Sequence, residues 1–547
     1  MGAWCEKITY GELVNRAAAK YGDKEYMVFA GQRWSFRQVQ AAIDRTARGL
    51  MALGVQPGAK VSLWLGNRPE WVFIQFALAK IGAVLVPINT QFRTADLDYV
   101  VRQSDTTTLI AADRSGPVNY IAMMQELCPE LTTAPRDNLL PAVFPALQRV
   151  VLLSDQPYPG TYHWQEVLAL ADQVSAAELH QREHAVAPDD TATIMYTSGT
   201  TGFPKGVMHC HNIIRNVMDE ASRLGIKPND VIMMYLPLFH AFGIYEGPLM
   251  CFATGARMVL TSTFDPGEVL QLIEQEKCTL THGFDTHFHD LMQHPDFDTR
   301  DTSSIRTGLF ASGLDSSIPI ARKAQEKFGR FVSGWGMTEV GVGATLGFLD
   351  DPPEVSACLS GYPLVGYELK IVDPATGTEL PPHTPGEICC KTYMLMQGYY
   401  KKPEETAKTI DHDGWLHSGD MGLLTAAGYL RFLGRYKEML KVGGENMDPV
   451  ELEGHLLKHP AVNQVKVVGV PDTRLNEVVA ACVILNPGAN ISAEELRDFC
   501  KHLANFKRPR YVLFMKEYPM TASGKVQKFN LRKIAMQELT LSDDTNN

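Results

Sequence analysis

Apolar residues recur at helical spacing through WSFRQVQAAIDRTARGLMALGV (34–55), which predicts an amphipathic helix closing at Gly54. VSLWLGN, from Val61, is a short apolar run and predicts a buried strand. RPEWVFIQFALAKIGA returns to helix and VLVPIN to strand. This alternation predicts an α/β fold built on doubly wound, mostly parallel sheets. Further strands are predicted at 104–112, 149–153 and 191–197, and the alternation continues through 230–335 without an internal repeat.

The pattern changes after about residue 350. DDPPE opens a Pro- and Gly-rich stretch with short strands such as GEICCKT (386–392) and GYLRFLG (428–434), which predict a barrel-like antiparallel piece. GRYKEMLKVGGEN (434–446) is dense in Gly and Lys. Beyond it, 447–534 alternates helix and strand over the length of a small α+β domain, and the tail LTLSDDTNN predicts a frayed end.

Composition narrows the classes. A chain of 547 residues suggests about three or four folding units. With 45% hydrophobic and 21% charged residues, long disorder, a collagen-like chain and a disulfide miniprotein are excluded. The net charge of −11 gives no support to a nucleic-acid partner. Ten cysteines show no CxxC pair, and Cys389 and Cys390 are adjacent, so reduced thiols in a cytoplasmic protein are expected. No apolar stretch follows the N-terminus as in a secretory signal, and Glu6 breaks a myristoylation motif. The run IGAVLVPI (81–88) falls far short of the ~20 residues of a spanning helix, so no integral membrane segment is expected.

The densest chemical signal is YTSGTTGFPKGV (196–207), between a predicted strand and a helix from about Asn212. Gly199, Gly202 and Gly206 permit unusual backbone conformations. Thr197, Ser198, Thr200 and Thr201 offer hydroxyls, and Lys205 a positive charge. Such a loop can wrap phosphate oxygens with N–H and O–H donors. It is not a Walker A loop, because Gly206 follows Lys205.

YTSGTTGFPKGV resembles the phosphate loop of the adenylate-forming superfamily, which contains acyl-CoA synthetases, peptide-synthetase adenylation domains and beetle luciferases. LPLFHAFG (236–243), GWGMTE (334–339), SGYPLVG (360–366), GWLHSGDMG (414–422), GRYKEMLKVGGEN and MTASGKVQK (520–528) follow in the family's order. The resemblance covers nearly the whole chain and is strongest to acyl-CoA synthetases. It implies a large N-terminal core (1–434), a hinge (435–441) and a small mobile C-terminal domain (442–547). It implies ATP, Mg²⁺, coenzyme A and a small carboxylic acid as ligands. Trp335 would stack on the adenine, Gly336 and Met337 would belong to the same nucleotide site, Thr338 would meet the α-phosphate, and Glu339 the Mg²⁺. Asp420 and Arg435 would hold the ribose and phosphates. Lys525 would serve the adenylation step. Lys437 matches the hinge, and Lys441, Gly443 and Gly444 would approach the thiol. His240 would gate the acyl site, although Ala241 departs from the family's HGFG. SGLDSS (312–317) departs further from the family pattern.

The expected acyl pocket is Phe239, His240, Phe242, Gly243, Phe284, Phe310 and Met337. Its apolar, aromatic character suits a medium-chain, branched, aryl or alicyclic acid. LFHAFGI carries no Asp to hold an amino group, which argues against an amino acid. No carrier-protein domain follows residue 547, so free coenzyme A is the expected acceptor. A luciferase-like oxidising adenylase and a non-catalytic nucleotide- or acyl-binding protein remain alternatives, and homodimerisation is left open. His209, His211, His282, His287, His289 and His294 lack metal-ligand spacing and read as structural or surface residues.

Overall fold

The predicted first long helix spans Phe36–Ala52. Ser35 caps it: its side chain accepts from the Gln38 backbone while the Gln38 side chain returns a bond to Ser35. Phe36, Val39, Ile43, Ala47 and Leu50 bury one face. The next helix, Pro69–Lys80, is buried nearly all round. Even Lys80 is enclosed, its ammonium 2.6 Å from Asp44 and 3.6 Å from Glu183. The computed structural model describes residues 6–541 except 140, 198–203, 315–316, 443–444, 473–474, 502, 504 and 522–523, and leaves the side chains of 138, 437, 441, 445, 446 and 476 undescribed.

Two sheets organise the N-terminal part. In the eight-stranded sheet, Thr191–Thr197, Val84–Pro87, Lys60–Trp64, Thr106–Ala112, Arg149–Leu153 and Tyr162–His163 run parallel in that order. Lys205–Cys210 and Gly398–Tyr399 extend it antiparallel beyond Thr191–Thr197. The five-stranded sheet runs Leu280–Thr281, Val231–Met234, Arg257–Leu260, Glu25–Phe29 and Gln32–Ser35, antiparallel only at its last pair. The predicted doubly wound α/β arrangement is therefore present. The antiparallel piece expected after residue 350 is an open four-stranded sheet, Tyr367–Val372, Gly386–Thr392, Leu416–Leu424 and Leu430–Arg435, and not a closed barrel.

Beyond Val442, the long hairpin Val462–Asp472 with Asn476–Leu485 is apolar on both faces. Helices Pro449–Leu456 and Ala493–Phe499 cover one face, and Lys528–Glu538 the other. These two apolar clusters share no residue with those of the N-terminal part. No helix among the described residues is long and apolar enough to cross a membrane.

Glu220 and Glu246 form an unusual interior pair, both essentially fully buried. Among the described residues no N–H or O–H donates to either carboxyl. The two groups lie against each other, and burial together with their mutual repulsion raises the Glu220 pKa well above the usual carboxyl range. Among the described residues, a proton held between them is the one donor available to the contact. The native state then keeps a proton that the unfolded chain gives up above about pH 4.5, so stability falls as pH rises from there towards the raised native pKa. Glu220→Gln replaces the proton with an amide donor. We expect it to raise the melting temperature by a few degrees at pH 8 and to change it little at pH 5, measured by calorimetry across pH. A shift of the same size at both pH values would show that no proton is shared.

Candidate active site

Strand Thr191–Thr197 and its return strand Lys205–Cys210 place Thr197 opposite Lys205. Ser198, Gly199, Thr200, Thr201 and Gly202, the expected phosphate-loop residues, lie outside the described residues. Lys205 makes a 2.7 Å ion pair with Glu405 and stands 4.8 Å from the centre of the Tyr399 ring. Tyr399 is there because Gly398–Tyr399 pairs with Lys205–Cys210, flanked by the bonds Gln397 N–H to Met208 O (2.9 Å) and Tyr400 N–H to Gly206 O (2.8 Å). Its hydroxyl donates to Glu339 Oε1 at 2.8 Å.

Glu339 occupies a one-turn 3₁₀ helix, Thr338–Val340, and is buried. Burial pushes its pKa up, opposed by the Tyr399 bond and the Arg435 charge. A buried carboxylate so destabilised, with a hard oxygen ligand type, fits Mg²⁺, which takes one or two carboxylates alongside phosphate. His209 Nε2 donates to the Thr338 carbonyl, and burial lowers that imidazole to about 4, so it is neutral.

Trp335, Asp420 and Arg435 converge. The Trp335 indole N–H donates to Asp420 Oδ2 at 2.9 Å, and Arg435 Nε donates to Oδ1 at 3.0 Å. Asp420 and Arg435 are cross-strand neighbours in the four-stranded sheet. Glu387 steadies the approach to Asp420, accepting from Gly419 N–H and from His417 Nδ1, each at 2.9 Å. Gly336 has no room for a side chain, since a Cβ would lie 1.9 Å from Val342 O. Met337 is partly buried against the large core.

The acyl segment is shaped by backbone approach. A Cβ on Gly243 would lie 2.2 Å from Pro237 O, which lets helix Ala241–Ile244 pack on the preceding turn. His240 Nδ1 accepts from Phe242 N–H at 3.3 Å and caps that helix. The Phe242 ring meets Phe284 edge-on at 5.4 Å, and Lys525 Nζ stands 4.5 Å from the centre of Phe284. Phe310 stacks on Phe288 at 4.8 Å, and Phe288 also meets Phe331 edge-on at 4.7 Å. Phe239 is partly buried against the large core.

Lys525 reaches this place because its loop docks on helix Asp285–Gln293. The Thr286 hydroxyl donates to the Gly524 carbonyl. Gly524 has φ +79°, and a Cβ would lie 2.3 Å from His287 Nε2, so only glycine fits both the torsion and the approach. A second contact, His289 Nε2 with Asn463 Oδ1 at 3.0 Å, ties the same helix to the C-terminal hairpin. Lys525 is exposed to solvent as a residue, while the protein packed about its ammonium, with the Phe284 ring 4.5 Å away, partly desolvates it. That desolvation, with the Arg435 charge, pushes its pKa down to about 8. Burial, with the Lys525 charge, pushes His240 down to about 4.

The backbone of Lys437 lies in the 3₁₀ turn Tyr436–Glu438, between Leu430–Arg435 and Leu440–Val442. Gly443 and Gly444 and the Lys441 side chain lie outside the described residues. The histidines considered as metal ligands make local or tertiary bonds instead: His211 accepts from Tyr10 N–H, His287 from Phe284 N–H and His294 from Asp296 N–H. Sequence reasoning missed Tyr399, Glu405 and the Glu387–His417 pair. Each meets its partner only through strand or helix packing, and a local motif around any of them carries no such signal.

Two family models match the chain: "AMP-binding enzyme" over residues 14–400 and "AMP-binding enzyme C-terminal domain" over 451–525. The chain is 39% identical over 540 residues to YngI of Bacillus subtilis (strain 168), covering 98% of each. It is 34% identical over 545 residues to mouse ACSF2, a mitochondrial medium-chain acyl-CoA ligase, covering 97% of this chain and 88% of that one. Among solved structures, the anthranilate CoA ligase AuaEII with anthranoyl-AMP superposes with a TM-score of 0.81 at 26% identity, covering 98% of both chains.

Proposed function

The chain belongs to the family of AMP-binding enzymes, and on that premise we propose how its residues serve an ATP-dependent carboxylic acid–CoA ligase. The enzyme converts a carboxylate to an acyl adenylate with release of pyrophosphate, then passes the acyl group to coenzyme A and releases AMP. The observation that carries the residue assignment is the convergence of Lys525, Phe284, Phe242 and neutral His240 at one cleft, within the electrostatic reach of Asp420 and Arg435.

A carboxylate cannot expel oxide, so its oxygen first attacks the α-phosphorus of ATP in line and pyrophosphate leaves. The protein's part is positioning and neutralisation of charge. Lys525 holds the attacking carboxylate against the nucleotide. Asp420 accepts the ribose hydroxyls, with Trp335 and Arg435 holding its carboxylate in place. Thr338 donates to the α-phosphate, and Glu339, oriented by Tyr399, would hold Mg²⁺. That ion, when bound, neutralises phosphate charge. The 198–202 loop and Lys205 bind the remaining phosphates, with Glu405 and Tyr399 positioning Lys205.

The second step needs a thiol where Lys525 stood. We assign residues 435–441 as the hinge about which the 442–547 unit turns, bringing Lys441, Gly443 and Gly444 to the thiol path. Two clusters of apolar side chains confined to the C-terminal part support such a unit. The apolar rings of the cleft suit a medium-chain or aryl acid, in line with the acids named for ACSF2 and AuaEII.

The test is pyrophosphate release from ATP and Mg²⁺ with a panel of carboxylic acids, with and without coenzyme A. Acid-dependent release with an acyl-CoA product is expected. Release without acyl-CoA would turn the reading towards an oxidising adenylase, and no release towards a binding protein. Phe239→Ala and Phe242→Ala should enlarge the acyl site and shift preference several-fold towards bulkier acids, with KM for ATP little changed. An unchanged acid profile with a lowered melting temperature would return these rings to the core.

A further inference from the structure

His282 follows strand Leu280–Thr281 and has no exposed surface. Leu309 N–H donates to its Nδ1 at 3.1 Å. An accepting Nδ1 carries no hydrogen, so the ring's one hydrogen is on Nε2. Burial holds the imidazole neutral, with a pKa near 4. Nε2–H therefore is a donor, and it finds no acceptor among the described residues. No other histidine nitrogen among them is buried in this way without a partner. Interiors rarely leave such a donor unmatched, and an unmatched one invites an acceptor from outside the chain, a ligand atom included.

Its place indicates which acceptor. The ring lies 6.2 Å from Phe242, Phe242 lies 5.4 Å from Phe284, and Phe284 lies 4.5 Å beneath the Lys525 ammonium. An acid held at its carboxylate by Lys525 and laid along these two rings brings its distal part towards His282.

We propose that His282 is a specificity-determining hydrogen-bond donor of the acyl site, and that the acid carries an uncharged oxygen acceptor, such as a keto, hydroxyl or ether oxygen, away from its carboxylate. This rests on the acid–CoA ligase reading above. A second carboxylate is disfavoured, because a single neutral N–H in an apolar site cannot offset the cost of burying that charge. A site built to satisfy a polar atom discriminates far more strongly than one built to fit a methylene, so the oxygen should dominate selectivity.

The experiment measures kcat/KM for pyrophosphate release with matched acid pairs: octanoate against its oxo and hydroxy analogues, and benzoate against hydroxy- and methoxybenzoates, with the oxygen moved along the chain or ring. In the wild-type chain, one oxygen position should raise kcat/KM at least tenfold over the hydrocarbon parent. His282→Phe should erase that gain while the parent acid stays within about threefold. His282→Gln can accept from Leu309 and still donate, and should retain most of the gain. The wild-type comparison stands without any variant, so a misfolded His282→Phe does not decide the matter. Turnover of hydrocarbon acids with no gain from oxygen at any position overturns the role of His282 and leaves the ligase reading intact. No pyrophosphate from either member of any pair overturns both.

Discussion

Lys525→Ala is expected to lower acyl-adenylate formation by at least a hundredfold, and to leave thioester formation from a supplied acyl adenylate within about threefold. The geometry gives the reason. Lys525 is held over Phe284 by a loop that only Gly524 can build against His287, and it is the ammonium at the acyl end of the cleft. Removing a preorganised charge that acts on the transition state costs a factor of about 10²–10³ in comparable sites. The adenylate no longer needs a cation on its incoming oxygen, so the second step should be spared. The lowered pKa adds a signature. Only the ammonium is useful, so kcat/KM for adenylation should decline as pH rises through about 8. Lys525→Arg, which stays charged, should move that decline to higher pH. The measurement is the two half-reactions assayed separately against pH. Equal loss in both would assign Lys525 to folding or to general charge rather than to the first step.

Lys437→Pro is expected to retain ATP–pyrophosphate exchange while acyl-CoA formation collapses by two orders of magnitude or more. Lys437 sits in the 3₁₀ turn Tyr436–Glu438, whose usual φ of about −50 to −70° a proline ring reproduces. The substitution is therefore compatible with the arrangement described here, in which Lys525 occupies the cleft. It opposes any rotation that must change that torsion. Proline also restricts Tyr436, so circular dichroism should confirm that the variant folds. One trapped orientation serves one step: adenylation with Lys525 inside, or thiol attack with it withdrawn. Near wild-type rates for both steps would mean that the turn is not the hinge.

Local elements were legible because burial on one face leaves a periodic trace. The Phe36–Ala52 helix, the strands at 149–153 and 191–197, and the GEICCKT strand at 386–392 all lie where the pattern of apolar residues put them. The order of the motifs along the chain likewise identified the family. The same trace says which face is buried and not what it is buried against. It could not show that Lys205–Cys210 turns back as an antiparallel strand, or that Gly398–Tyr399 joins it and delivers Tyr399 to Glu339. Phe284 and Phe310 look alike in sequence, yet one lies under Lys525 and the other in the Phe288 stack. Glu220, Glu246, Lys80 and His282 resemble surface residues by type and are interior by position. Apolar periodicity is a property of one segment, whereas a polar group's partner, pKa and unmet bonding are set by segments tens to hundreds of residues away, and only packing brings those together.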